Sequence, residues 1–293
     1  MYLVCYPQGG WNDMMSRIWY CFQYSILTNR VLIIDTTKNW FRDDLFSYLS
    51  FSFPNLYRGD ISHFITNLYN THSVYPSGMK GMNNDELPTI IWKRPGHMET
   101  ETGIVLSTRL DQSYDETVVV YADCGSLIHI NPILCYTTFT PMVLEYVQRR
   151  WNQLPKGYLS VHVRNTDYKS PVDDFIKQHH DLFCNHPVFI ASDHSETIHR
   201  FQHDYGAYSF STIPALPIGK NIHESIESQS LRSSHELVRT FNLDTLSDFL
   251  LLACGSEFYY SSHQSGFSRS VAYLHKDQGL LHFLIPFLRS SVP

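Results

Sequence analysis

The sequence predicts an α/β protein of two domains, each built on a parallel sheet, and three observations predict it. The chain opens with "YLVCY", "WNDMMSRIWYCFQYSILTNR" and "VLIID". This strand-helix-strand order favours parallel pairing, because the helix carries the chain back to the start of the sheet. From residue 158 strands and helices alternate, which places a parallel sheet between two helical layers. At 293 residues there is room for two domains of about 100 to 200 residues each.

Composition narrows the class. A chain that is 43% hydrophobic and 17% charged is neither disordered nor fibrous. A net charge of −6 without a Lys/Arg run excludes a nonspecific nucleic-acid binder. The six cysteines, at 5, 21, 124, 135, 184 and 254, make no CxxC and no Cys/His zinc spacing, so reduced, mostly buried thiols are expected. His179 and His180 are neighbours about 100° apart on a helix and form no chelate, so the histidines are expected on the surface. No GxSxG elbow, P-loop or HExxH appears, leaving hydrolase and NTPase readings unsupported.

In order, "YLVCY" is a strand and "PQGG" a turn. The first helix then has Asn12 or Asp13 near its N-cap and an apolar stripe through Met15, Ile18, Trp19, Phe22 and Ile26. Residues 36 to 116 offer only "PTIIWK" and "TGIVLS" as short strands. "TVVVYAD" is a buried strand, and "TTFTPMVLEYVQRRWNQL" a helix ending at "PKG". The domain boundary falls near residue 155, giving domains 1–154 and 155–293, with the last helix free to pack back on the first domain.

In the second domain "YLSVHVR", "PVFIAS", "AYSFS" and "SEFYYS" read as strands. "PVDDFIKQHHDLF", "HSETIHRFQHDY", "DTLSDFLLLACG" and "SGFSRSVAYLHK" read as helices. Within "YLSVHVR", Leu159, Val161 and Val163 point one way and Tyr158, Ser160, His162 and Arg164 the other. The N-terminus enters a strand at once with no basic n-region, so it does not read as a signal peptide and a cytoplasmic location is expected. The tail "GLLHFLIPFLRSSVP" is broken by His282, Pro286 and Arg289 and is short of the ~20 residues of a span. A packing helix is expected, with peripheral contact at the inner membrane face as the alternative.

Ligands of open parallel sheets collect beyond the C-terminal strand ends. "HVRNTD", "ASDH" and "SSHQSGFS" all fall there, and Arg164 would hold a cation over an anionic ligand.

These segments resemble those of the α1,6-, α1,2- and protein-O-fucosyltransferase superfamily. "HVRNTDYKS" is similar to its "HxRRTD" and "HxRRGDY" segments, and "VFIASDHSETI" to its "SD" or "TDD" strand end. "SDFLLLACGSEFYYSSHQSGFSRSVAYL" is similar to its last motif, and "QGGWNDMMSRIWYCFQYSILTNRVLIID" to its opening strand-turn-helix. The four occur in the family's order across residues 2 to 274. The resemblance implies a GT-B arrangement, two Rossmann-like domains with a cleft between them, the C-terminal one holding the nucleotide sugar. It also implies GDP-fucose as donor, inversion at the fucose carbon, and a glycan acceptor on the side of the first domain.

Residue by residue, the resemblance gives Arg164 the donor's β-phosphate. There a guanidinium fork grips more strongly as negative charge grows on the leaving GDP. A salt bridge to Asp167 or Asp193 is the competing reading. His162 and Asp193 match positions that hold guanine or ribose, with helix capping the alternative for Asp193. Ser262, Ser265, Gly266, Phe267 and Ser268 match a phosphate-binding helix start, which caps would equally explain. Gly10, Trp11 and Asn12 match the first-domain turn over fucose or phosphate, although Gly10 would also suit a tight turn.

Two departures stand out. Asn165 occupies the place of a second arginine, and no carboxylate fits the family's spacing cleanly. Asp173 and Asp174 are the base candidates, and they read equally well as acids at a helix N-terminus. No two Asp are separated by one residue, so the DxD of metal-dependent transferases is missing, and activity without a metal or other cofactor is expected. The sequence reading is therefore an inverting fucosyltransferase-like enzyme of bacterial surface-glycan synthesis. Its rivals are a GT-B transferase of another nucleotide sugar and a catalytically silent glycan or nucleotide-sugar binder.

Overall fold

A computed structural model describes residues 1–39, 41–94, 96–125, 130–165, 171–210 and 234–291. Asp167 and the Ser- and His-rich loop at 211–233 lie outside the described residues. Contacts divide the chain into two compact units, Met1–Thr138 and Phe139–Pro293.

The first unit opens as expected with β1 (Tyr2–Pro7), α1 (Trp11–Leu27) and β2 (Val31–Ile34). β3 (Leu49–Phe51), α2 (Ile61–Thr71), β4 (Val74–Tyr75), the hairpin β5 (Ile90–Arg94) and β6 (His97–Thr100), and β7 (Val118–Asp123) follow. The short α3 (Asn131–Leu134) and β8 (Thr137–Phe139) lead to the boundary. The sheet order is β2-β1-β7-β4, and every pairing is parallel. Its inward residues Val4, Tyr6, Ile33, Val118 and Val120 pack with Ile65, Leu68 and Tyr69 of α2.

α1 buries Met15, Ile18 and Phe22 but leaves Ile26 half exposed at 48%. Its N-cap is Gly10 and not Asn12 or Asp13. The reason lies one residue earlier. Gly9 takes φ +86, and a Cβ there would lie 2.7 Å from Cys124 Sγ and 2.9 Å from Asp13 Cβ, so the turn closes tightly and the helix starts at once. The tight-turn role expected of Gly10 belongs to Gly9. "TGIVLS" forms no strand of its own. Leu106 bridges β6 and β7, its N–H donating to Met98 and its carbonyl accepting from Ala122.

The second unit contains α4 (Pro141–Trp151), β9 (Leu159–Val163), α5 (Val172–Asn185), β10 (Val188–Ser192) and α6 (Ser195–Tyr205). After these come α7 (His235–Cys254), β11 (Glu257–Tyr260), α8 (Gly266–Lys276) and α9 (Gln278–Leu284). The parallel sheet runs β10-β9-β11, and "AYSFS" contributes a single parallel bridge, Tyr208 to Phe189. Both faces of β9 are buried. Leu159, Val161 and Val163 pack against Phe175, Ile176, Ile198 and Phe201 of α5 and α6. The opposite, polar face is covered too: Ser160 Oγ lies 3.5 Å from the Leu251 carbonyl and His162 meets α8. Gly255 lets α7 turn into β11 against β9, for a Cβ there would sit 2.2 Å from Ser160 Oγ.

The boundary falls 16 residues earlier than the expected 154/155, and the cause is visible in α4. Arg150 pairs with Asp244 of α7, and Tyr146 OH donates to the same carboxylate at 2.7 Å. These bonds tie α4 to the second unit. The chain end packs in that unit as well: the Phe287 ring lies 5.7 Å from Trp151 of α4, the helix the sequence analysis had counted with the first domain. Among the described residues no helix is long and apolar enough to cross a membrane. The thiols are free but less buried than expected: Cys5 and Cys21 are buried, Cys124 and Cys254 half-buried, Cys135 and Cys184 exposed.

Candidate functional site

Three strand ends of the second unit are tied together by short polar bonds. After β9, the Arg164 N–H donates to Ser261 Oγ at 3.1 Å, while the Ser261 N–H donates to the His162 carbonyl at 3.1 Å. After β10, Asp193 accepts from the Asn165 N–H at 2.8 Å through Oδ1 and faces Arg164 Nε at 3.0 Å through Oδ2. Ser192 Oγ donates to the Val163 carbonyl at 2.8 Å and accepts from the His194 N–H at 3.1 Å. A parallel register leaves these ends side by side, so the amides of Arg164, Asn165 and Ser261 find oxygens on neighbouring strand ends.

Asp193 is 6% exposed and does not cap α6, whose N-cap is His194 without a side-chain bond. Its oxygens hold the strand end and the Arg164 guanidinium. The salt bridge weighed between Arg164 and Asp193 forms, and the one to Asp167 falls outside the described residues.

His162 is 6% exposed, and its Nδ1 lies 2.7 Å from Ser268 Oγ. Burial first, and the Arg164 charge second, lower its pKa to about 3. The imidazole is therefore neutral in ordinary buffers and offers hydrogen bonds instead of charge. Its ring centroid is 5.0 Å from that of Phe267, which meets Phe249 of α7 edge to face at 5.7 Å.

At the start of α8, Ser265 is the N-cap and accepts from the Ser268 N–H at 3.2 Å, while Ser262 Oγ accepts from the Gln264 N–H at 3.3 Å. The hydroxyls brace the turn, and the first-turn amides of Gly266 and Phe267 lie where a helix start favours anions. Asp173 and Asp174 stand in the first turn of α5, and Asp173 pairs with Arg200 of α6 at 2.5 Å. Both acids, with Asn165, His194, Thr197 and Arg200, line an open depression of about 490 Å³. The structure thus brings the acids to the strand-end residue next to Arg164.

In the first unit Trp11 and Asn12 are buried, at 3% and 7% exposure, and Gly10 is half-buried. Around them the strand ends satisfy one another. Arg17 pairs with Asp123 at 3.0 Å and donates to Tyr121 OH at 3.1 Å. Asp35 accepts from Asn84 Nδ2 at 2.9 Å, and Asn84 accepts from Tyr6 OH at 2.5 Å.

Sequence reasoning missed Ser261 and Asp248. Ser261 ends β11, and the strand-end rule that selected Ser262 should have included it. Asp248 lies inside the apolar run "SDFLLLAC", and that position is itself the signal. It is 8% exposed, its Oδ1 has no hydrogen-bond partner, and burial raises its pKa to about 8 against the lowering by Arg150.

No family model and no curated protein sequence matches the chain. Solved structures do. NodZ α1,6-fucosyltransferase co-crystallised with GDP superposes with a TM-score of 0.56 at 13% identity, over 93% of this chain and 91% of that one. Selenomethionine NodZ from Bradyrhizobium gives 0.58 at 13% identity, over 93% and 92%. A mutant Arabidopsis thaliana FUT1 in complex with GDP gives 0.51 at 14% identity, over 92% and 68%. The chain has the GT-B fold. In a GT-B chain the two parallel sheets described above are the two Rossmann-like domains, and Arg164, Asp193 and Ser261 gather at the strand ends of the second.

Proposed function

We propose that this chain is an inverting, metal-independent transferase that moves fucose from GDP-fucose to a glycan acceptor in the synthesis of a bacterial surface glycan, on the cytoplasmic side of the membrane. The observation that carries the reading is Arg164, set at the end of β9 by Asp193 and Ser261 in a fold whose solved examples include complexes with GDP.

In the reaction the bond from fucose C1 to the β-phosphate oxygen breaks and its electron pair leaves with GDP. The acceptor oxygen forms the new bond to C1 from the opposite face, and the hydroxyl proton passes to a carboxylate. Arg164 stabilises the charge growing on GDP, with Gly266 and Phe267 amides beside it. A guanidinium is planar and holds phosphate bidentately, so lysine is a poor replacement. Neutral His162 acts as a hydrogen-bond partner of the nucleoside and not as a counter-charge. Asp174 is the better base, because Asp173 is engaged by Arg200.

The test is transfer from GDP-fucose to a panel of glycans in EDTA, with the product anomer read by NMR. An inverted fucoside formed in EDTA is the expected result. Complete loss of transfer with EDTA refutes metal independence, and retention of configuration refutes the in-line step. Asn165 turns its amide toward Thr197 Oγ1 at 3.4 Å in the place of a second arginine, which supports a second reading with another nucleotide sugar. Transfer from GDP-mannose but not GDP-fucose would establish that alternative.

A further inference from the structure

We propose that the last turns of α5 carry a surface site for a thiophilic divalent cation of the Zn²⁺ class, held by His180 and Cys184. The two residues are one helical turn apart and so share a flank of the helix. His180 Nε2 lies 3.6 Å from Cys184 Sγ. A tetrahedral ion at about 2.0 Å from nitrogen and about 2.3 Å from sulfur requires an edge of about 3.6 Å, which matches this separation.

The imidazole is already oriented. Its Nδ1 is 3.0 Å from Tyr205 OH on α6, and the two rings meet edge to face at 5.8 Å. In the tautomer that donates Nδ1–H to Tyr205 OH, the Nε2 lone pair is turned to the thiol side, the arrangement by which an outer partner fixes a ligating histidine. His179 and His180 are adjacent and form no chelate with each other, but a chelating spacing runs from His180 to Cys184.

Both side chains are exposed, so the ion arrives from solvent and water fills its other positions. Binding replaces the thiol proton: Cys–SH and M²⁺ give a Cys–S–M⁺ bond and release H⁺. No group of three or more His, Cys, Asp or Glu among the described residues surrounds a metal position. With two protein ligands in place of four, a Kd of roughly 1–100 µM is expected, far weaker than a structural zinc. The site stands apart from the donor reading and does not depend on it.

The test is titration of the reduced, chelator-stripped full chain with Co²⁺, followed by displacement with Zn²⁺. The proposal expects one equivalent of Co²⁺ with a thiolate-to-cobalt charge-transfer band that Zn²⁺ abolishes. Cys184→Ser removes the band and His180→Asn weakens binding at least tenfold. Tyr205→Phe weakens it about tenfold through loss of the outer hydrogen bond. Cys135→Ser, which removes the other exposed thiol, leaves the band intact. Absence of the band in the unaltered chain, or its survival in Cys184→Ser, overturns the proposal.

Discussion

The strand ends of the two units are built from similar residues to different effect. In the second unit the polar groups converge on a cation: Asp193 holds the Asn165 amide and the Arg164 guanidinium, and Ser261 holds the Arg164 amide, with the arginine side chain 22% exposed. In the first unit Arg17, a residue of α1 whose side chain is likewise 22% exposed, is engaged by Asp123, Tyr121 and the carbonyls of Cys124 and Gly125, and Asp35 is engaged by Asn84 and Thr37. The two cations are equally exposed, and what differs is the element that supplies them: Arg164 belongs to the strand end itself, whereas Arg17 reaches the end of β7 from α1.

Substitutions sharpen this contrast. Arg164→Ala has the largest effect, a fall in kcat of about 100- to 1,000-fold with weakened donor binding, and Arg164→Lys recovers only part of it; steady-state kinetics read both. Asp174→Asn lowers kcat by about 100-fold at unchanged donor Kd, whereas Asp173→Asn, already paired with Arg200, costs less. Equal losses in the two variants would remove Asp174 as the base.

Gly255→Ala forces a Cβ against Ser160 and destabilises the second unit by about 1–3 kcal/mol in urea unfolding.

Two buried titrating groups of the second unit, His162 and Asp248, act in opposite directions on stability. His162 stays neutral down to about pH 3 when folded, while an unfolded histidine charges near 6.5. Its contribution is present above pH 6.5 and is lost as pH falls from there toward 3. Asp248 stays protonated up to about pH 8 when folded but ionises near 3.8 when unfolded. Its folded form is therefore favoured at low pH and loses that advantage as pH rises from 4 to 8, with a slope approaching 1.4 kcal/mol per pH unit, in order of magnitude about one proton's worth. Asp248→Asn should flatten stability between pH 6.5 and 8, and His162→Gln should flatten it between 3 and 4, each measured by denaturant melts across pH.

Much of this architecture was legible. The strand-helix-strand opening, the alternation after residue 158 and the polar clusters at strand ends follow from period and position, and each has its counterpart in β1 to β2, β9 to β11 and the Arg164 cluster. The boundary was not, because it depends on long-range contacts of α4, Arg150 and Tyr146 with Asp244 and Trp151 with Phe287, that no local pattern announces. Capping was misread for the same reason: Asp193 looks like a cap in sequence, but a neighbouring strand offers it an amide and a guanidinium. The His180–Cys184 spacing was present in the sequence, but attention to the adjacent histidines concealed it.

The most direct test of the central claim is calorimetric binding, in EDTA, of GDP-fucose, GDP-mannose, GDP, UDP-galactose and a CMP-sugar to the unaltered chain and to Arg164→Ala. The account predicts binding of the guanine nucleotides alone, with GDP-fucose preferred, and its loss in the variant. Binding of a different nucleotide, or binding indifferent to Arg164, would contradict it.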